Sequence, residues 1–355
     1  MKELFFLLLR NALWRRDEPL PRQPLPEAMV RRLLAGADQQ AVGSLIAEAL
    51  VRCGLVTQED QRYECLGVVA QVQQHSSQID KGVSHLAALM TAAGVDYVVV
   101  KGQAVATYYP DGSLREAGDI DYYVAPASFD RSVAVVRQQW GVEPRREGSD
   151  YHVHFQREGV TFEGHFALTQ LYSRRRNRYW QQLMATDTGT TVNVDGRPVR
   201  TLSPTLHALY VFLHLYHHLM ELGVGLRQLC DLAVLLHYGL LPADRERLRG
   251  HLRQLGMERA FKACAALMAD RLGLPPEDLP CGEPTATDRH YADRILAVML
   301  YRGNMGRWNK RSGFSGWRHK VESTLIKLSH FAKFAPLAPA YSCRWMIRRA
   351  VKSMA

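Results

Sequence analysis

Tyr97-Val98-Val99-Val100-Lys101-Gly102, a connector carrying Arg115, and then Gly118-Asp119-Ile120-Asp121-Tyr122-Tyr123-Val124 decide how this chain is read. Three consecutive valines predict a buried strand that ends at Lys101-Gly102. Gln103 to Tyr109 has room for about two helical turns before Pro110, and Asp111-Gly112 marks a turn. A second strand is expected from Asp119. On a strand, residues two apart share a face, so Asp119 and Asp121 point one way and Ile120 the other. Two carboxylates side by side repel unless a cation lies between them. An all-oxygen set of this kind suits Mg²⁺, which takes a few carboxylates together with waters and substrate phosphates. A glycine beside a lysine, one strand away, offers a place for those phosphates. Neutralising either carboxylate is expected to leave stability unaltered or modestly raised.

Lys101-Gly102, Arg115 and Gly118-Asp119-Ile120-Asp121 together resemble the signature of the polymerase-β-like nucleotidyltransferase superfamily. They resemble more closely a bacterial branch called nucleotidyltransferase family 5, which has Lys-Gly where the superfamily usually has Gly-Gly or Gly-Ser. A third carboxylate is expected on a later strand. Thr161-Phe162-Glu163-Gly164-His165-Phe166 supplies Glu163, 42 residues beyond Asp121. The branch typically shows Glu-Leu-His-Trp there, so Gly164 and Phe166 depart from it, whereas Glu163 and His165 keep it.

The resemblance implies an α+β fold, with a nucleotidyltransferase mixed-sheet core, N-terminal helices and a C-terminal helical domain. It implies a metal-dependent enzyme that moves an NMP from an NTP, ATP foremost, to a hydroxyl or phosphate acceptor and releases pyrophosphate. The acceptor would be a small molecule, a protein or an RNA end, and the metal Mg²⁺ or Mn²⁺. Asp119 and Asp121 would ligate the metal, and Glu163 would complete the set or accept the acceptor's proton. Gly102 would let backbone amides approach the phosphates, Lys101 would add a compact charge, and Arg115 would grip the γ-phosphate. His165 would orient Glu163 or touch the nucleotide. Each has a plainer alternative: a solvent lysine at a strand end, a loop arginine paired with Glu116 or Asp111, an imidazole satisfied by backbone. A rival function is a nucleotide- or RNA-binding regulatory protein with a decayed transferase site, and three intact carboxylates argue against it.

The chain's 355 residues allow a catalytic domain plus helical additions. The expected parts are an N-terminal helical region 1–94, the α/β core 95–202, a helical domain 203–302 and a basic amphipathic segment 303–355. Net charge is +10, and it is uneven. From Arg302 onward there are twelve Lys or Arg against the single acid Glu322, while the preceding residues hold 33 basic and 34 acidic. Two amphipathic helices are expected there. Val321, Leu325, Leu328 and Phe331 oppose Lys320, Lys327 and Lys333, and Arg344, Arg348 and Lys352 line a second face. Such faces suit an anionic membrane surface or another polyanion, unless they dock on the enzyme body.

Phe5-Phe6-Leu7-Leu8-Leu9 is too short for a signal peptide, lacks a cleavage site, and predicts a buried first helix. The six cysteines show no Cys-x-x-Cys or zinc spacing, which suits reduced thiols in a cytoplasmic protein. No window reaches the length of a membrane span, so the expected place is the cytoplasm, with the basic segment permitting peripheral contact at a membrane. Further helices are expected over 27–35, 39–53, and 58–93 with Thr57 or Asp60 as cap, then from Pro126 to Gln139. A strand over Asp150–Gln156, the Glu163 strand and a hairpin across Asp195-Gly196 complete the core. Helices follow from Pro204, and over Arg227–His237, 242–254, 257–272 and 286–302. His152 and His154 share a strand face but show no third ligand, which reads against zinc. His214 and His218 lack the intervening glutamate of a metalloprotease helix, residue 215 being leucine, and read as packing or cleft residues.

Overall fold

The computed structural model describes residues 1–16, 18–146, 151–169, 171, 173–221, 223–304, 325–326 and 328–339. They divide into two compact units, one of residues 1–38, 42–169 and 187–207, the other of 39–41, 171–186 and the residues from 208 on.

The first unit opens with α1 (Lys2–Trp14), whose Phe6, Leu8, Leu9 and Leu13 are fully buried as the apolar run predicts. Helices α2 (Glu27–Gln39), α3 (Gly43–Arg52) and the long α4 (Glu59–Ala92) follow. Neither expected cap closes α4. Its N-cap is Gln58, with no side-chain cap bond, and two first-turn acids, Glu59 and Asp60, meet the positive end of the helix instead. Then come β1 (Val98–Val100), the one-turn α5 (Gly102–Ala106), β2 (Ile120–Tyr123), α6 (Pro126–Trp140), β3 (His152–Arg157), β4 (Val160–His165), β5 (Thr190–Val194) and β6 (Arg197–Thr201).

The strands form one six-stranded mixed sheet in the order β3-β4-β2-β1-β6-β5. β1 pairs antiparallel with β2 and parallel with β6, β2 pairs parallel with β4, and β3–β4 and β5–β6 are antiparallel hairpins. Asp195 and Gly196, both at positive φ, make the second hairpin's turn, as an Asp-Gly pair should. α5 is shorter than expected because the chain leaves the helix at Thr107, before Pro110.

Strand alternation sorts the sheet's side chains. Ile120, Tyr122, Val153, Phe155, Val160 and Phe162 join Ile79, Val83, Leu86 and Met90 of α4 and Phe129 and Val136 of α6 in one buried cluster. Asp121, Glu163, His165, His152 and His154 occupy the intervening positions and face the other way. Gly164, a departure from the family-like pattern, now has a cause. It lies opposite Tyr122 in the β2–β4 register, and a Cβ on it would sit 2.5 Å from the Tyr122 hydroxyl. The tyrosine fills the volume that a leucine at 164 would need. Phe166 packs edge-on against Phe129, with centroids 5.0 Å apart.

The second unit is helical. α7 (Arg174–Thr186) was not anticipated, because its only buried side chain is Trp180 and so no apolar period marks it. α8 (Pro204–Met220) enters this unit from Ala208. α9 (Leu226–Tyr238), α10 (Pro242–Leu255), α11 (Glu258–Leu272) and α12 (Ala286–Arg302) lie close to their expected limits. Asp278 ties this unit internally by accepting from Arg245 and pairing with His237. Of the tail, 325–326 and 328–334 are helical, with Leu325 and Leu328 exposed and Phe331 buried. Val321, Lys320, Lys327 and the Arg344, Arg348 and Lys352 face lie outside the described residues.

Gly164→Ala should lower stability by about 1–3 kcal/mol, the usual range for overpacking a closed core. The penalty should shrink in a Tyr122→Leu background. Urea unfolding of the four proteins of the cycle measures it, and an undiminished penalty would show that Tyr122 is not the obstacle.

Candidate active site

Register builds the site. Val100 pairs with Asp121, and Asp121 pairs with Glu163 on its other side, so the end of β1 meets both carboxylates across two strand spacings. β2 begins at Ile120, leaving Asp119 on the approach to the strand rather than within it. Its carboxylate still joins the group. One oxygen each from Asp119, Asp121 and Glu163 lie within 4.8 Å of one another, a donor set that fits a hard divalent cation.

Asp121 is the buried member, its side chain 3% exposed. Lys101 Nζ lies 2.9 Å from Oδ2, and His165 Nε2 lies 2.8 Å from Oδ1. Burial alone would raise this carboxyl's pKa, but the Lys101 ammonium and the His165 hydrogen bond outweigh it and hold Asp121 well below the usual carboxylate range. An ionised carboxylate only accepts, so His165 donates from Nε2. Glu163 shifts the opposite way. Partial burial and the neighbouring charges of Asp121 and Asp119 push it above the ordinary glutamate range. His165 Nε2 lies 3.6 Å from Glu163. Desolvation, then the neighbouring His165, lowers the pKa of His152, which faces His165 across the β3–β4 pairing.

Lys101 reaches Asp121 at a backbone cost. Its φ of 57° and ψ of −147° fall near a region almost reserved for glycine. Gly102 follows at φ 43°, where the missing Cβ makes the turn permissible. The Lys101 N–H donates to His207 Nε2 at 3.3 Å. His207 was not anticipated from sequence, since nothing local in a residue 106 positions away marks it as a support for this turn.

The connector is pinned at several points. The Gly43 N–H at the start of α3 donates to Glu116 Oε1 at 2.7 Å. Ser44 Oγ donates to the Leu114 carbonyl, and Gln73 of α4 donates to Ser113 Oγ at 3.0 Å. Asp111 accepts from the Ser113 N–H and hydroxyl at 3.0 and 2.6 Å. Arg115 sits between these anchors, 5% exposed. The site thus brings together Lys101, Asp119, Asp121, Glu163 and His165, with Gly102 next to Lys101 and Arg115 buried in the connector upstream. His214 and His218 are hydrogen-bonded to each other, Nε2 to Nε2 at 3.1 Å, within the second unit.

A family model described as an uncharacterised nucleotidyltransferase matches residues 26–273, well over half of the chain. The chain belongs to this family. Membership supports a nucleotidyl transfer activity. No curated protein matches it in sequence. Among solved structures, it is similar to an antigenic nucleotidyltransferase-like protein from Paracoccidioides brasiliensis, at 16% identity and TM-score 0.35, covering 62% of this chain and 96% of that one. It is also similar to the antibiotic-resistance factor ANT(2'')-Ia, at 15% identity and TM-score 0.35, covering 52% and 91%.

The strain at residue 101 of this family member is separable from its charge. Lys101→Ala and Lys101→Gly both remove the partner of a buried carboxylate, so each should fall below wild type, by up to about 3–5 kcal/mol. Only glycine relaxes the backbone. Lys101→Gly should therefore be the more stable of the two by about 1–3 kcal/mol, measured by urea unfolding near neutral pH. Equal stability, or a more stable alanine variant, would show that no strain resides there.

Proposed function

We propose that this protein transfers a nucleoside monophosphate from an NTP, ATP foremost, to a hydroxyl or phosphate acceptor and releases pyrophosphate, using Mg²⁺ or Mn²⁺. The observation that carries this reading is the convergence of Asp119, Asp121 and Glu163 within 4.8 Å beside the Lys101-Gly102 turn. Asp119, Asp121 and Glu163 would hold the metal, which when bound supplies charge neutralisation for the triphosphate. Asp121, kept anionic by Lys101 and His165, is the fixed ligand. Glu163, with its raised pKa, is suited to take the proton as the acceptor oxygen attacks the α-phosphorus and the bond to the bridging oxygen breaks. Gly102 opens the backbone to the phosphates, and Arg115 is the candidate for the γ-phosphate. The same convergence of ionised and tuned carboxylates speaks against a decayed site in a purely regulatory protein.

The acceptor is proposed as a small molecule, a protein or an RNA end, in the cytoplasm. Among the described residues no helix is long and apolar enough to cross a membrane. The twelve basic residues from Arg302 onward suit recruitment of an anionic partner, a membrane surface or another polyanion. Each Lys or Arg near such a surface contributes about 1 kcal/mol.

Pyrophosphate release from each NTP, with Mg²⁺ or Mn²⁺ and cell extract as acceptor source, is the direct test. Asp119→Asn should abolish release and metal-dependent triphosphate binding while the fold persists. It is a cleaner probe than Asp121→Asn, which strips Lys101 of its partner and so should also destabilise, contrary to what the sequence alone suggests. Glu163→Gln should keep most triphosphate affinity yet lower turnover about 10²–10⁴-fold. Full activity in Asp119→Asn would overturn the site. Collapse of nucleotide affinity in Glu163→Gln would make Glu163 chiefly a metal ligand and remove its role as base.

A further inference from the structure

We propose that β3 and β4 carry a second, chemically distinct metal site, in which His152, His165 and Glu163 bind a borderline divalent ion of the Zn²⁺ class. One donor atom from each of the three lies within 4.8 Å of the others. The set is built by cross-strand register. His152 pairs directly with His165, and Glu163 follows two residues before His165 on the same strand face. The two rings have centroids 5.0 Å apart. From sequence the His152–His154 pair lacked a third ligand. The hairpin supplies two, and it selects His152 over His154.

The donor chemistry separates this site from the carboxylate group beside it. Two imidazoles and one carboxylate suit Zn²⁺ and its transition-metal neighbours, whereas an all-oxygen set suits Mg²⁺ and Mn²⁺. His165 also has the support that metal-binding histidines use. Its Nε2 bonds Asp121 and also lies 3.6 Å from Glu163, so a metal either takes Nε2 in place of that hydrogen bond or takes Nδ1 and leaves it intact. A histidine held by a buried carboxylate in this way is oriented for ligation.

Glu163 belongs to both donor sets, so the two sites are linked through it. An ion held by His152 and His165 draws on the carboxylate that the oxygen site also uses. Zn²⁺ binding and Mg²⁺ binding should therefore compete through Glu163. The proposal needs only the side-chain geometry and does not require the transferase reading.

The experiment uses the full chain, freed of metal by a chelator and titrated with Zn²⁺ by calorimetry and with Co²⁺ by visible absorption. Co²⁺ serves as probe because low-coordinate nitrogen and oxygen sites give it intense ligand-field bands. Wild type should bind Co²⁺ with such a band, and Zn²⁺ should displace it. His152→Ala should weaken Zn²⁺ binding at least tenfold and abolish the band. His154→Ala, its neighbour on the same strand face, should leave both intact, as should Asp119→Asn and His214→Ala. Circular dichroism confirms that each variant is folded, and His152→Asn repeats the test if the alanine variant is not. A band that survives in His152→Ala overturns the proposal, as does one lost equally in His154→Ala, Asp119→Asn or His214→Ala. Because the readout is spectroscopic, failure here leaves pyrophosphate release untouched, and failure of the transferase test leaves this one standing.

Discussion

A carboxylate at Asp121 that is almost wholly out of water is the constraint around which the rest is arranged. An isolated buried charge carries a penalty of several kcal/mol even after relaxation, so the fold must bring it partners. It brings two from different directions. Lys101 comes from the end of the neighbouring strand at 2.9 Å, and His165 from the strand on the other side at 2.8 Å. Both depend on β2 lying between β1 and β4 in the sheet. A one-residue slip in either pairing would turn Asp121 toward α4 and α6 and send a core residue to the site. The register that satisfies the charge is therefore the register that fills the core.

The sheet's two faces are solved jointly, and the compromises are visible where they meet. Lys101 holds a backbone conformation worth about 1–3 kcal/mol of strain, which the ion pair offsets. Tyr122, between Asp121 and Tyr123, is fully buried on the opposite face, and its hydroxyl has no hydrogen-bond partner among the described residues. That tyrosine is accommodated by Gly164, which lies between the two residues, Glu163 and His165, that the site uses. Gly164 thus makes room for Tyr122 on one face while Glu163 and His165 on either side of it point to the other.

Legibility from sequence followed the range of the information required. The strand face of Asp121 and the Lys101-Gly102 turn were readable because strand alternation and the strand-end turn are local properties. Glu163 was singled out through the family resemblance, whereas Asp119 lies just before the strand expected to carry it. The first helix and most helices after Pro204 were readable because their apolar spacing is regular. α7 was not, since an arginine-rich helix with Trp180 as its only buried residue has no period to detect. Neither was His207, which supports Lys101 from 106 residues away. His152 lies between these cases. Its strand face was clear from alternation, but its proximity to His165 and Glu163 is a matter of hairpin register. Register across a hairpin is set by turn geometry and by the hydrophobic pattern of both strands together, not by either strand alone.

The opposite pKa directions of two adjacent acids give the strongest link from packing to chemistry. Asp121 and Glu163 are register partners on neighbouring strands, yet one is held low and the other pushed high. Residue type does not distinguish them, so environment must. Lys101 spends its charge on Asp121, and Asp121, thus fixed as an anion, repels ionisation of Glu163. Two carboxylates whose surroundings separate their pKa values are suited to different tasks, one as a permanent negative centre and one as a proton acceptor. Lys101 thus neutralises the most buried member of the group and leaves Asp119 and Glu163 as its more accessible carboxylates.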